Sequence, residues 1–337
     1  MEKIILVDPN EGGIAGHNKK YRDAINAIED TVIYSKVAKF PPLLRSPFNG
    51  YKSRMNYFNE IPESEVVCVL QIDSIYMTPP LFSMLRENHK HVVGVLHWFP
   101  RDKKRQLLFR ISAKQLDMIV CHSEYIKQQL NKIGVYNVKV IEYPAFCDVN
   151  IDNLRKKDSE GKKVFTCLGG SRKDKGPDVL AQSFRYIPEK YRSNIKIVIA
   201  GKQLDVPYSF IEKKAEESDI AIEFCDKRMT DEEYWQYIID SDVILLPYKK
   251  IFTGNSGPMT DGVFLNKYIL GPDEGNIGYL INKYNLGSTF EIENFRSLGE
   301  EIGATSQKNT DCNHSYRRRL SVERFIGSYQ ELFDSMI

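Results

Sequence analysis

Short apolar runs recur along the chain, each followed by a loop and then by an amphipathic stretch. The runs at 4–7, 66–70, 92–96, 118–121, 138–141, 164–168, 195–200 and 243–246 are mostly continuous rather than alternating. Parallel strands buried on both faces have this signature. Between many of them the apolar spacing turns helical, as at 19–29, 123–132, 177–184, 209–217 and 231–239. Strand, loop and helix repeated in this way predict an α/β chain with open sheets. The polar, charged stretch 153–162 interrupts the series and reads as part of a linker. The expected layout is an N-terminal domain over 1–150, a linker over 151–163 and a second domain over 164–316. Both would be doubly wound, Rossmann-like parallel sheets facing a cleft, with ligands beyond the carboxyl ends of the strands. Residues 317–337 hold Val322, Phe325, Ile326, Tyr329, Leu332 and Phe333 at helical spacing. They predict a C-terminal helix that packs back toward the first domain.

Composition narrows the function. The chain has 337 residues, 42% hydrophobic and 27% charged, which fits a folded protein of about two domains and excludes a disordered one. The formal net charge of +2 argues against a dedicated nucleic-acid partner, which needs a larger positive balance. Six cysteines without a C-x-x-C pair read as reduced thiols in a cytoplasmic protein. The first apolar run is too short for a signal peptide, and no stretch approaches the roughly 18 apolar residues of a membrane span. Membrane contact is therefore expected only as a peripheral one at the inner face. Charge is uneven: residues 31–140 hold 16 Lys/Arg against 8 Asp/Glu. The densest piece, Arg101-Asp102-Lys103-Lys104-Arg105, is either a solvated helix face or a surface for an anionic acceptor or acidic lipid headgroups. The loop 40–57 mixes Pro, Arg, Lys and aromatics, and is either acceptor-facing or an irregular connection.

The strongest chemical signal follows the run at 164–168. Gly169-Gly170-Ser171-Arg172-Lys173-Asp174-Lys175-Gly176 leads into Pro177, a residue suited to the first helical position. Glycines let the backbone approach a ligand, Arg172 and Lys175 supply two cations, and a helix start adds amide donors. Together they make a diphosphate pocket, where each part alone could be a basic surface turn. A second loop, Thr253-Gly254-Asn255-Ser256-Gly257, follows Leu245-Leu246-Pro247-Tyr248 and opens another helix. Its small residues can turn amides toward an anion. Asp261, about one turn further on, can accept hydrogen bonds from a ribose diol or simply favour the helix start.

These motifs, in this order, resemble the donor domain of the family-4 retaining glycosyltransferases, which have the two-domain GT-B architecture. The resemblance covers roughly 160–300 and is weaker over 1–150. It implies that Gly170, Arg172 and Lys175 hold the diphosphate of a nucleotide-sugar donor and stabilise the leaving group. It implies that the segment from Phe224 through Arg228 to Met229 holds the base. Ser256, Gly257, Pro258 and Met259 match the residues around the distal phosphate, and Asp261 matches the second acidic residue of the E-x7-E pattern. Thr253 stands where the first glutamate would be, so the motif here is T-x7-D.

In the first half, Gly12-Gly13 matches the glycine-bearing first loop that approaches the donor phosphates. His97, after the run at 92–96, resembles the histidine that contacts the transferred sugar; it could also be a satisfied strand-end histidine. His17 and Arg101 are acceptor-side candidates, with a helix-cap role equally open for His17. Ser123 reads as a helix N-cap, not as a nucleophile. Asp240-Ser241-Asp242 has D-x-D spelling but sits at a helix-to-strand junction, and no cluster has metal-ligand spacing. The expectation is a metal- and cofactor-independent hexosyltransferase. It would pass sugar from a nucleotide diphosphate to a glycan or lipid-linked acceptor, plausibly in surface polysaccharide synthesis. The missing glutamate leaves open a degenerate glycan- or nucleotide-binding module, and the architecture leaves open a nucleotide-sugar epimerase.

Overall fold

The computed structural model describes residues 2–9, 17–34, 36, 47–73, 75–78 and 80–337. The chain divides into two compact units, Met1–Phe146 with Ser321–Ile337, and Cys147–Leu320. The first unit runs β1 (Glu2–Val7), α1 (His17–Asn26), β2 (Thr31–Tyr34), α2 (Pro47–Asn59), β3 (Ser64–Val69) and α3 (Pro80–Asn88). It continues with β4 (His89–Val95), α4 (Lys103–Ala113), β5 (Met118–Cys121), α5 (Glu124–Lys132) and β6 (Val138–Val140). The second unit runs β7 (Lys163–Leu168), α6 (Pro177–Ser183), α7 (Glu189–Arg192), β8 (Ile195–Ala200), α8 (Tyr208–Glu216) and β9 (Ala221–Cys225). There follow α9 (Asp231–Asp240), β10 (Val243–Leu245), α10 (Gly257–Phe264), β11 (Tyr268–Pro272), α11 (Gly275–Tyr284), β12 (Gly287–Phe290) and α12 (Phe295–Ser306). The last helix, α13 (Val322–Asp334), belongs to the first unit.

Each unit holds one six-stranded parallel sheet. The first has the order β2-β1-β3-β4-β5-β6, reversing direction between β1 and β3. The second has the order β12-β11-β10-β7-β8-β9 and reverses between β7 and β10, as a Rossmann sheet does. All eight apolar runs form strands, because their Val, Ile and Leu side chains are buried on both faces of a sheet. Four further strands escape the pattern. β2, β9 and β12 are edge strands and mostly half-buried, so they lack a continuous apolar run. β11 is buried, but its sequence Tyr-Ile-Leu-Gly-Pro carries two turn-forming residues.

The C-terminal helix packs as its spacing predicts. Ser321 caps it by accepting a hydrogen bond from the Arg324 amide. Phe325, Tyr329, Leu332 and Phe333 then bury against Ile4, Leu6, Tyr21 and Ile25. Each such side chain is worth roughly 1.5–3 kcal/mol of burial. The stretch 151–163 is tied to the second unit. The Lys157 amide donates to Asp240 Oδ1 at 2.9 Å, and Lys156 pairs with Asp242. All six cysteines are free; Cys68, Cys121 and Cys225 are buried. No helix among the described residues is long and apolar enough to cross a membrane.

Candidate active site

In the second unit the chain leaves β7 through Gly169 and Gly170, both in the left-handed region at φ +97° and +76°. Lys175 gives Gly169 its reason. A Cβ at 169 would lie 2.1 Å from Lys175 Nζ, so only glycine leaves room for the ammonium. A short 3₁₀ turn, Lys173–Lys175, brings that side chain back over the strand end, where Nζ donates to Leu168 O at 3.1 Å. Gly176 then turns into α6 at φ +66°, with its Cβ position 1.9 Å from Pro247 O. The loop after β7 is thereby pressed onto the end of β10, at the point where strand order reverses.

Burial and the neighbouring Arg172 push the Lys175 ammonium down to about 8, against the pull of Asp174. Arg172 is held by the same aspartate in a two-pronged pair, Nε to Oδ1 at 2.8 Å and Nη2 to Oδ2 at 2.5 Å. Its side chain is still 40% exposed. The site thus presents one aimed guanidinium and one half-desolvated ammonium. An arriving anion would strengthen the charged form of that ammonium.

The β10 side completes the pocket. Tyr248 is buried, its ring centroid 5.7 Å from Lys175 Nζ and its hydroxyl 3.1 Å from Ser256 Oγ. Ser256 caps α10, accepting from the Met259 amide at 3.2 Å. Pro258 has no N–H. The amides of Ser256–Met259 that the cap leaves available to an anion are therefore those of Ser256 and Gly257. Asp261 lies one turn into α10, 1% exposed, and its Oδ2 accepts from the Tyr234 hydroxyl at 2.7 Å. Lys249 cross-ties the two loops, with its amide on Asp174 O at 3.0 Å and its Nζ on Asp178 at 2.6 Å.

The remaining second-unit candidates lie beyond β9. Phe224 stacks on Tyr208 at 4.7 Å and packs, partly buried, against the core. Arg228 is exposed and Met229 half-buried, just before the capping box of Thr230 and Glu233 that opens α9. Asp240 and Asp242 stand at the opposite, amino-terminal end of the strands, just before β10. Asp242 Oδ2 accepts from the Val164 amide at 2.8 Å, and Asp240 Oδ1 from Gln236 Nε2 at 2.7 Å. No group of three acidic, His or Cys residues suited to a metal ion occurs among the described residues.

In the first unit, His97 follows β4 and is fixed from both ends. Its amide donates to Asp73 at 3.2 Å, shared with the Trp98 amide at 2.6 Å, and its Nε2 bonds Leu70 O at 2.9 Å. Because a carbonyl can only accept, that nitrogen carries the proton and Nδ1 is the one left for a ligand. The His122 ring is 4.9 Å away and the Tyr21 ring 5.3 Å. His122 donates from Nδ1 to Ile141 O at 2.8 Å, and burial, with His97 beside it, pushes it down to about 3. Arg101 is exposed, its guanidinium 6.0 Å over the Trp98 ring. His17 is the first residue of α1. Its side chain, with Gly12 and Gly13, lies outside the described residues.

Comparisons with known proteins add to this geometry. No protein-family profile and no curated protein sequence matches the chain. Solved structures do. HepE of Anabaena, in complex with UDP and glucose, is 12% identical, with a TM-score of 0.68 over 99% of this chain and 100% of that one. The lipopolysaccharide outer core galactosyltransferase WaaB gives 12% and 0.72, over 99% and 100%. Sucrose-phosphate synthase of Thermosynechococcus elongatus gives 11% and 0.73, over 99% of both chains. The fold is GT-B.

Within this GT-B chain, sequence reasoning passed over several residues. Tyr248 ends the sequence Leu245-Leu246-Pro247-Tyr248, and an aromatic just beyond a strand's carboxyl end was its only signal. Tyr234 had none, being 27 residues from the aspartate it holds. Asp174 and His122 were legible as letters but not as partners of Arg172 and His97.

Proposed function

We propose that this GT-B protein is a retaining glycosyltransferase. It moves a hexose-type sugar from a nucleotide diphosphate sugar to a hydroxyl of a glycan or lipid-linked acceptor in surface polysaccharide synthesis. The observation that carries the reading is Lys175, an ammonium kept half-desolvated by a glycine-walled turn at the strand-order reversal, beside the aimed guanidinium of Arg172. Such a pair suits an anion with several oxygens, and a diphosphate supplies one group for each cation.

Arg172, Lys175 and the Ser256 and Gly257 amides bind the diphosphate, and Asp261 accepts from the ribose diol with Tyr234 fixing its carboxylate. In the transfer step the sugar–phosphate C–O bond breaks. The acceptor oxygen bonds to the same carbon on the same face, and its proton passes to the departing phosphate oxygen. The two cations stabilise charge growing on that oxygen, which for one preorganised donor is worth ~2.7–4 kcal/mol. His97, through Nδ1, orients the transferred sugar. The cations already balance the diphosphate, so no metal is required in this scheme.

The test is a labelled nucleotide-sugar panel offered with and without glycan and lipid-linked acceptors. Retained anomeric configuration in an acceptor-linked product is the expected result. Free epimerised sugar without acceptor would favour an epimerase. Absence of binding to any nucleoside diphosphate by calorimetry would sink the enzymatic reading.

A further inference from the structure

One face of α4 is built for contact outside its own unit. The helix buries Phe109, Ser112 and Ala113 and turns Leu107 and Ile111 outward, 50% and 42% exposed. Four residues apart, these two lie one above the other on the helix surface. Lys103, Lys104, Arg110 and Lys114, all exposed, flank them. The loop after α5 is fastened to the same helix. Asn137 Nδ2 donates to Ala113 O at 3.3 Å and Leu116 O at 2.7 Å, and a Cβ at Gly134 would touch the Arg110 stem at 3.6 Å. Between those two anchors Tyr136 stands 74% exposed. Three of the eight exposed large apolar side chains among the described residues are thus carried on α4 and the loop fastened to it.

The charges point to the occupant. The α4 sequence holds four cations and no acid, and Lys103, Lys104 and Arg105 all sit in the first turn. The helix dipole disfavours positive charge at that end, so the arrangement is a local cost. The nearby carboxylate, Asp102, is occupied as the N-cap and as the ion partner of Arg105. Among the described residues, no carboxylate lies within ion-pair distance of Lys103, Lys104, Arg110 or Lys114. An anionic partner would offset that cost. It must also cover Leu107 and Ile111, which a dissolved polyanion would leave in water.

We propose that this face docks on a bilayer surface containing anionic lipid. Leu107, Ile111 and Tyr136 enter the boundary between headgroups and acyl chains, and the flanking cations meet lipid phosphates. This surface would work whatever reaction the protein performs, so it stands independently of the transferase reading.

The experiment is co-sedimentation of the full chain with vesicles of phosphatidylcholine alone or mixed equally with phosphatidylglycerol. Binding is expected only to the mixed vesicles and weakens as salt rises. Replacing Lys103 and Lys104 by glutamine should lower affinity about fivefold per cation. The double variant Leu107→Ser, Ile111→Ser should lower it about tenfold or more. All four side chains tested are exposed, so circular dichroism and melting temperature should match the parent, and nucleotide binding should be unchanged. No binding to mixed vesicles at low salt would overturn the proposal. So would vesicle binding that the Leu107/Ile111 variant retains in full, which would show charge alone at work and no apolar side chain entering the bilayer.

Discussion

Beyond β7 the second unit keeps an ammonium and a guanidinium; beyond β4 and β5 the first keeps two imidazoles. Both clusters sit at carboxyl ends of parallel strands, and burial pushes the buried base of each toward its neutral form, with different outcomes. Lys175, lowered from 10.5 to about 8, stays ionised near neutrality. His122 is desolvated fully and held neutral, so that with Tyr21 it forms a wall that orients His97. Comparable desolvation thus leaves a charge where the free group is strongly basic and a neutral ring where it is only weakly so.

The largest effect expected is at Lys175. Lys175→Ala should cut kcat/KM by about 10²–10³ and weaken nucleoside diphosphate binding, read by steady-state kinetics and calorimetry. If His97→Ala were to weaken nucleotide binding as much, the division of labour between the units would collapse. His97→Ala should instead lower kcat with nucleotide affinity intact.

Gly176→Ala is the next largest. Left-handed backbone and the approach to Pro247 O should cost at least about 1–3 kcal/mol, visible as a lower melting temperature. A milder loss belongs to Asp261→Asn, which removes a charged acceptor. Nucleoside diphosphate affinity should fall about tenfold while the corresponding base-free pyrophosphate binds as before.

Anion binding and fold stability should respond to pH with opposite signs. Diphosphate binding needs the charged lysine, so affinity should decline as pH rises above about 8. Near and somewhat above pH 8, where the free lysine is partly neutral, binding should take up protons, detectable by calorimetry in buffers of different ionisation heat. Lys175 itself, depressed from 10.5, adds stability as pH rises between about 8 and 10.5, because the unfolded chain then holds the extra proton. In the first unit His122, lowered from 6.5 to about 3, favours the fold above 6.5 and loses that contribution as pH falls toward 3. His89, lowered to about 4, acts with the same sign. His122→Phe should therefore flatten the acid limb of thermal stability. A smaller acid limb from His314 in the second unit remains in that variant.

The smallest effect expected is at Asp240. Its carboxylate is engaged by the Lys157 amide and Gln236 at the amino-terminal end of the strands, away from Lys175. Asp240→Asn should leave transfer rates unchanged, and activity should persist in chelator. Strict dependence on added manganese would contradict the two-cation scheme.

Periodicity alone was enough for the α/β class, the strands buried on both faces and the closing helix, because each needs a local apolar pattern that few alternatives satisfy. The glycine–cation loop was legible for the same reason: Gly169 and Lys175 are six residues apart and meet within one turn. Edge strands β2, β9 and β12 were not, since a half-exposed strand needs no continuous apolar run. Nor could spacing reveal that Asp174 grips Arg172, that Tyr234 fixes Asp261, or that Tyr136 lies on a loop fastened to the helix bearing Leu107 and Ile111. Those pairings depend on how helices and loops pack, and so do the charge states of Lys175 and His122. Burial depth is a property of the assembled chain, and only the tertiary structure decided which groups were left charged at the site.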